Sequence, residues 1–279
     1  MHIATRLAKS DKEADTIFSL LDIPGESEYY REEVIEIKYE LIRKMRGEEE
    51  GGKFIGQNLN NPKLRRKAID KALNDKQFDK AIGLARDGIK NDSKDKPGLA
   101  KEWYDWLLCV AIVQEDISHI IEYARFLFVD GFRHDHDYYS ILKQHVEHDG
   151  WNSFVEGLLQ DIKGNNRWSS IDVIGKIYIA EQLWDRLLQL LRETKHLPYI
   201  EHYEQYLVDK YPLELAELYE LGVINHIKTM TGRDHYKEAC RYMRRMIKLG
   251  ARNRVNDLVA KLRKEYPQRR ALLEELDRI

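Results

Sequence analysis

Five segments of this chain repeat one helical pattern: a large apolar or aromatic residue followed by apolar or small residues at +3, +4 and +7. The sets are Phe78/Ala81/Ile82/Ala85, Ile117/Ile120/Ile121/Ala124, Trp151/Phe154/Val155/Leu158, Trp184/Leu187/Leu188/Leu191 and Tyr236/Ala239/Cys240/Met243. The first four starts lie 39, 34 and 33 residues apart, the spacing of stacked helical hairpins. A hairpin with one apolar stripe cannot bury it alone, so each pair must pack on the next. Small residues such as Ala81, Ala85, Ala124 and Ala239 let neighbouring helices approach closely.

These signals predict an all-α fold, a right-handed α-α superhelix of stacked antiparallel hairpins. The competing architecture is a compact bundle of unrelated amphipathic helices. Strand signals are nearly absent, because no run of alternating β-branched residues is bounded by turn dipeptides.

Along the chain, residues 1–46 read as an N-terminal helical pair near 11–22 and 26–46, split by Ile23-Pro24-Gly25. Gly47 stops the second helix, and 47–60 reads as a polar, glycine-bearing linker or loop. Residues 61–279 read as the repeat array, ending in a basic C-terminal cap. Asn61-Pro62 opens its first helix in cap-then-proline order. Pro97, Pro198 and Pro212 mark further helix starts. The pair near 197–209 and 212–230 interrupts the period before the fifth copy of the pattern.

With 43% hydrophobic residues, 279 residues suffice for a large core or a long stack, and a net charge of −2 gives no global argument for nucleic-acid or membrane binding. The longest apolar run, Leu107 to Val113, is far too short to cross a bilayer. The first fifteen residues have no apolar core of signal-peptide length. Cys109 and Cys240 each lie in an apolar stripe and are expected as buried, reduced thiols. A cytoplasmic protein without membrane contact is the expectation.

Three constellations carry candidate chemistry. His134, His136, His145 and His148 form the densest histidine cluster, and His145 and His148 share a helix face at i, i+3. Imidazoles near carboxylates bind transition metals, but His134 and His136 fall in the preceding loop and no cysteine is near. A solvated histidine-rich turn is the plain reading, and no cofactor is expected. Trp103, Trp106, Trp151 and Trp184 lie on the apolar stripes and read as core rather than as a base-stacking platform. Trp168 stands in a loop context.

From Arg241 to Arg270 there are eleven Lys or Arg against two acids. Arg241, Arg244, Arg245, Lys248, Arg252 and Arg254 lead this stretch, with Arg241 and Arg245 on one face. It suits an acidic protein partner or a phosphate backbone, unless it is a solvated face balanced by the acidic N-terminal helix. No phosphate-binding glycine loop, nucleophile elbow or HExxH pair appears, so nothing argues for an enzyme.

Several phrases, in order, resemble the helical region that follows the zinc-finger module in bacterial and archaeal SWIM zinc-finger proteins. They are FDKAIGLARDGI (78–89), KEWYDWLLCVA (101–111), IIEYARFLF (120–128), YYSILKQHV (138–146), IYIAEQLWDRLLQLL (177–191), HYKEACRYMRRMIKLG (235–250) and LRKEYPQRRALLEEL (262–276). The resemblance spans about residues 60–279. That family's finger binds zinc through a CxCx(n)CxH pattern, which two cysteines 131 residues apart do not supply. The resemblance therefore implies the helical part alone: a tetratricopeptide-like superhelix in protein–protein contacts, without the finger's zinc or DNA binding. The expected role is a non-enzymatic scaffold for a protein partner. The alternatives are a nucleic-acid-associated protein using the basic helices and, more weakly, a histidine-cluster metal protein.

Overall fold

The computed structural model describes residues 10–21, 28–130, 137–164 and 170–279. Among them every regular element is helical, with no strand. The chain forms two compact units, Met1–Asp161 and Ile162–Ile279.

In the first unit, α1 (Asp11–Leu21) is tied to α2 (Glu28–Gln57) by Arg46, which pairs with Asp11 and Asp15. The helix α2 is broken at Gly47, whose φ of 88° and ψ of 176° lie outside helical space. Gly47 thus ends a helix as expected, but the residues behind it differ from the expected linker: 48–57 form another helical stretch. Two features explain this. Lys53 pairs with Glu49 and Glu50 along the helix, and Ile55 is buried in a cluster with Tyr39 and Leu64, flanked by Phe54. The apolar Phe54-Ile55 pair was the signal that the polar composition of the segment obscured.

The helix α3 (Pro62–Asn74) starts at Asn61, whose side chain accepts hydrogen bonds from the Lys63 and Leu64 backbone amides. Then come α4 (Phe78–Asp92), α5 (Pro97–Val113), α6 (Ile117–Val129), α7 (Tyr138–His145) and α8 (Trp151–Gly164). The unit boundary falls within α8. The second unit continues with α9 (Ser170–Ala180), α10 (Trp184–Thr194), α11 (Leu197–Leu207), α12 (Pro212–Thr229), α13 (Arg233–Lys248), α14 (Arg252–Glu265) and α15 (Arg270–Leu276). Four of the five pattern starts are the first residues of α4, α6, α8 and α10, and Tyr236 lies in the first turn of α13.

One turn design recurs. Before α4, the amide of Gln77 donates to the Ala72 carbonyl (2.7 Å) and that of Lys76 to Leu73 (3.0 Å). Lys76 is left-handed, with φ 58°. This is the six-to-one, five-to-two closure of a helix C-terminus. It recurs before α6, where Asp116 donates to Ala111 and Glu115 (φ 56°) to Ile112. It recurs again before α10 through Leu183 and Gln182 (φ 55°), and before α14 through Ala251 and Gly250 (φ 86°). In each case the next helix begins two residues after the left-handed one. The left-handed positions at 76, 115, 182 and 250 are 39, 67 and 68 residues apart, one repeat and then twice a repeat of about 34 residues.

Side-chain bonds at about one repeat of separation join several helices to the next but one. In the first unit Arg66 of α3 pairs with Glu102 of α5, 36 residues on. The Tyr138 hydroxyl of α7 donates to buried Asp105 of α5 (2.8 Å), and Arg125 of α6 pairs with Asp161 of α8. In the second unit Arg241 of α13 pairs with Glu201 of α11, Arg254 of α14 with Glu220 of α12, and Arg233 of α13 with Glu274 of α15. Within each unit, these bonds tie helices together across about one repeat of sequence.

The core follows the pattern, with one systematic departure at its first position. Ala81, Ala85, Ile120, Ala124, Leu158, Leu187, Leu191, Ala239 and Met243 are buried. Phe78 and Trp184 are half-buried, and Ile117 is 56% exposed. These three residues directly follow the tight turns, where solvent lies on one side. Trp103 and Trp151 are core residues, while Trp106 and Trp184 are half-buried. Trp168 lies outside the described residues.

Candidate functional site

The basic residues 241–254 stand on α13 and the start of α14, and the fold brings carboxylates to half of them. Arg241 forms two bonds to Glu201, at 2.6 and 2.9 Å. Arg245 grips Glu204 through Nε and Nη2 (3.0 and 3.2 Å) and reaches Glu201 through Nη1 (2.9 Å). The buried tyrosines Tyr219 and Tyr242 stack with ring centroids 5.6 Å apart, and their hydroxyls donate to Glu204 and Glu201. The Arg241 guanidinium lies 4.3 Å over the Tyr242 ring. Fork-shaped pairing of this kind fixes both partners.

The electrostatics fit a static clamp. Arg241 holds the Glu201 carboxyl below its ordinary value of 4.5, mainly by hydrogen bonding. Burial pushes the Tyr242 phenol up to about 12. Burial, together with Glu204, pushes Tyr219 further up still. Glu201 is thus favoured in its ionised form and both phenols in their protonated form.

Of the six sequence-predicted contact residues, Arg241 and Arg245 sit together in this clamp and Arg254 pairs with Glu220. Arg244 donates to the Arg278 backbone carbonyl (3.4 Å). Lys248 and Arg252 are exposed and enter no ion pair among the described residues. The acids that balance this stretch are thus Glu201, Glu204 and Glu220. The acidic N-terminal helix, expected as the counterweight, spends its charges elsewhere: Glu32, Glu33, Glu36 and Glu40 pair with Lys96, Lys63 and Lys67.

The predicted histidine cluster is not brought together as a metal site among the described residues. His145 bonds through Nδ1 to the Ile141 carbonyl (2.8 Å), and His148 is exposed in a short 3₁₀ turn. His134 and His136 lie outside the described residues. A different trio gathers instead: His226 at the end of α12, with His235 and Glu238 on α13, their ligand atoms all within 4.8 Å of one another. The missed signal was His235-x-x-Glu238, an i, i+3 pair on one helix face.

Exposed apolar surface gathers at the α5–α6 turn, where Ile112, Val113 and Ile117 are 38%, 62% and 56% exposed. Beside it, Gln114 and the residues Lys76 to Lys80 line an open groove, so the turns of two successive hairpins lie side by side. No helix among the described residues is long and apolar enough to cross a membrane. Comparison with protein-family models, curated proteins and solved structures gives no significant match to this chain.

Proposed function

We propose that this chain is a non-enzymatic, tetratricopeptide-like scaffold that holds a protein partner, the role its resemblance to the helical region of SWIM zinc-finger proteins implies. The observation that carries the reading is the paired turns of successive hairpins, with Ile112, Val113 and Ile117 exposed beside the groove at Lys76–Lys80 and Gln114. The interior positions of the repeat pattern are occupied with packing, whereas Ile117, a pattern start, and Ile112 and Val113, outside the pattern, present apolar surface to solvent. Apolar side chains next to polar groove walls suit a protein surface better than a phosphate backbone.

The alternative, nucleic-acid binding through the basic helices, has three of its six cations already paired with glutamates. Immobilised protein in nuclease-treated lysate is expected to retain a protein partner. Retention of nucleic acid alone, lost on adding salt and on the double substitution Arg244→Glu/Lys248→Glu, would replace the scaffold reading with the alternative.

A further inference from the structure

We infer that His226, His235 and Glu238 form a binding site for a first-row transition-metal dication of the zinc class, independent of the scaffold role. His226 stands in the last turn of α12, and α13 begins seven residues later, after Met230, Thr231 and the positive-φ Gly232. His235 and Glu238, at i, i+3, face it from the first turns of α13. The His226 and His235 rings meet edge to face, with centroids 5.3 Å apart. His226 Nε2 lies 3.6 Å from a Glu238 carboxylate oxygen. In tetrahedral coordination, bonds of about 2.0–2.1 Å set ligand atoms roughly 3.3–3.4 Å apart. Small side-chain rotations therefore close the trio on an ion.

An independent observation points the same way. His226 Nε2 is buried, yet has no hydrogen-bond partner among the described residues. A buried polar atom without a partner is costly, and a metal bond would satisfy this one. Two imidazoles and one carboxylate select the zinc class over the hard, oxygen-seeking magnesium and calcium ions. Three protein ligands leave a fourth position for water, since His235 and Glu238 are only half-buried. The bound ion would fasten the end of α12 to the start of α13 across their turn.

The test uses the full chain, made without a histidine tag, stripped with chelator and titrated with zinc chloride against a chromophoric competitor. Cobalt chloride reports coordination through its visible bands. Expected are about one equivalent bound and visible bands of four- or five-coordinate cobalt. Affinity is expected to fall at least about tenfold in both His235→Ala and Glu238→Gln, with unchanged helical circular dichroism. His145→Ala/His148→Ala is expected to bind like the parent. Less than about one-tenth equivalent of zinc in the parent would overturn the site. So would parental affinity in both His235→Ala and Glu238→Gln, or equal loss in the His145/His148 control.

Discussion

At the scale of single residues, the turn positions are the least comfortable part of the chain. Lys76 and Gln182 occupy left-handed backbone that costs a β-carbon-bearing residue roughly 1 kcal/mol, while the equivalent position before α14 is Gly250. Lys76→Gly and Gln182→Gly are each expected to stabilise the protein by about 0.5 kcal/mol, the relief of strain outweighing the added freedom of the unfolded chain. Thermal or urea midpoints check this, and a lowered midpoint would contradict it. The thiols give a second residue-scale prediction. Burial pushes both Cys109 and Cys240 up to about 11, so at pH 8 only about one thiol in a thousand is the reactive thiolate. Iodoacetamide is expected to label neither thiol appreciably in the folded protein and both after denaturation, as read by mass spectrometry. The burial of Cys240 was legible from its apolar stripe, whereas Cys109, expected as buried, is only half-buried. The left-handed positions were not legible, because lysine, glutamate and glutamine carry no mark of positive φ.

At the scale of elements, close approach of helices rests on a few glycines. A β-carbon on Gly88 of α4 would lie 2.7 Å from the indole of Trp103 on α5, itself fully buried and bonded through Nε1 to Asp92 (2.6 Å). Alanine in a helix ordinarily gains about 1 kcal/mol over glycine. Gly88→Ala is nevertheless expected to destabilise, by about 1–3 kcal/mol from overpacking, and a raised urea midpoint would contradict the packing described. The α11–α13 clamp has a pH signature. The Glu201 carboxyl is held below its ordinary 4.5 in the folded protein. Its contribution is therefore fully present above that value and lost as pH falls through the lowered folded value. Urea midpoints measured from neutral pH to about pH 3 are expected to fall less steeply in Glu201→Gln than in the parent. Helix starts at Pro62, Pro97 and Pro212 were legible because proline pre-sets the first turn. The helix over 48–57 was missed because its polar, glycine-bearing composition outweighed one buried apolar position.

At the scale of the whole molecule, the repeat pattern anticipated the all-helical architecture, since four helices begin on its first residue. Which charges face which was not legible: composition showed a basic C-terminal stretch, but not that Glu201, Glu204 and Glu220 would meet it. Sequence distance hides such pairs, which lie 34 to 44 residues apart. A similar distance hid the side-by-side turns that expose Val113 and Ile117, while the intervening α12–α13 turn hid His226 from His235 and Glu238. The central claim, a scaffold whose partner docks at the paired turns of α4 and α6, is tested most directly by quantifying the retained protein partner on parent and on Val113→Asp/Ile117→Asp. Both side chains are exposed, so the fold should persist in circular dichroism while retention falls at least about tenfold. Undiminished retention by a folded double variant would contradict it.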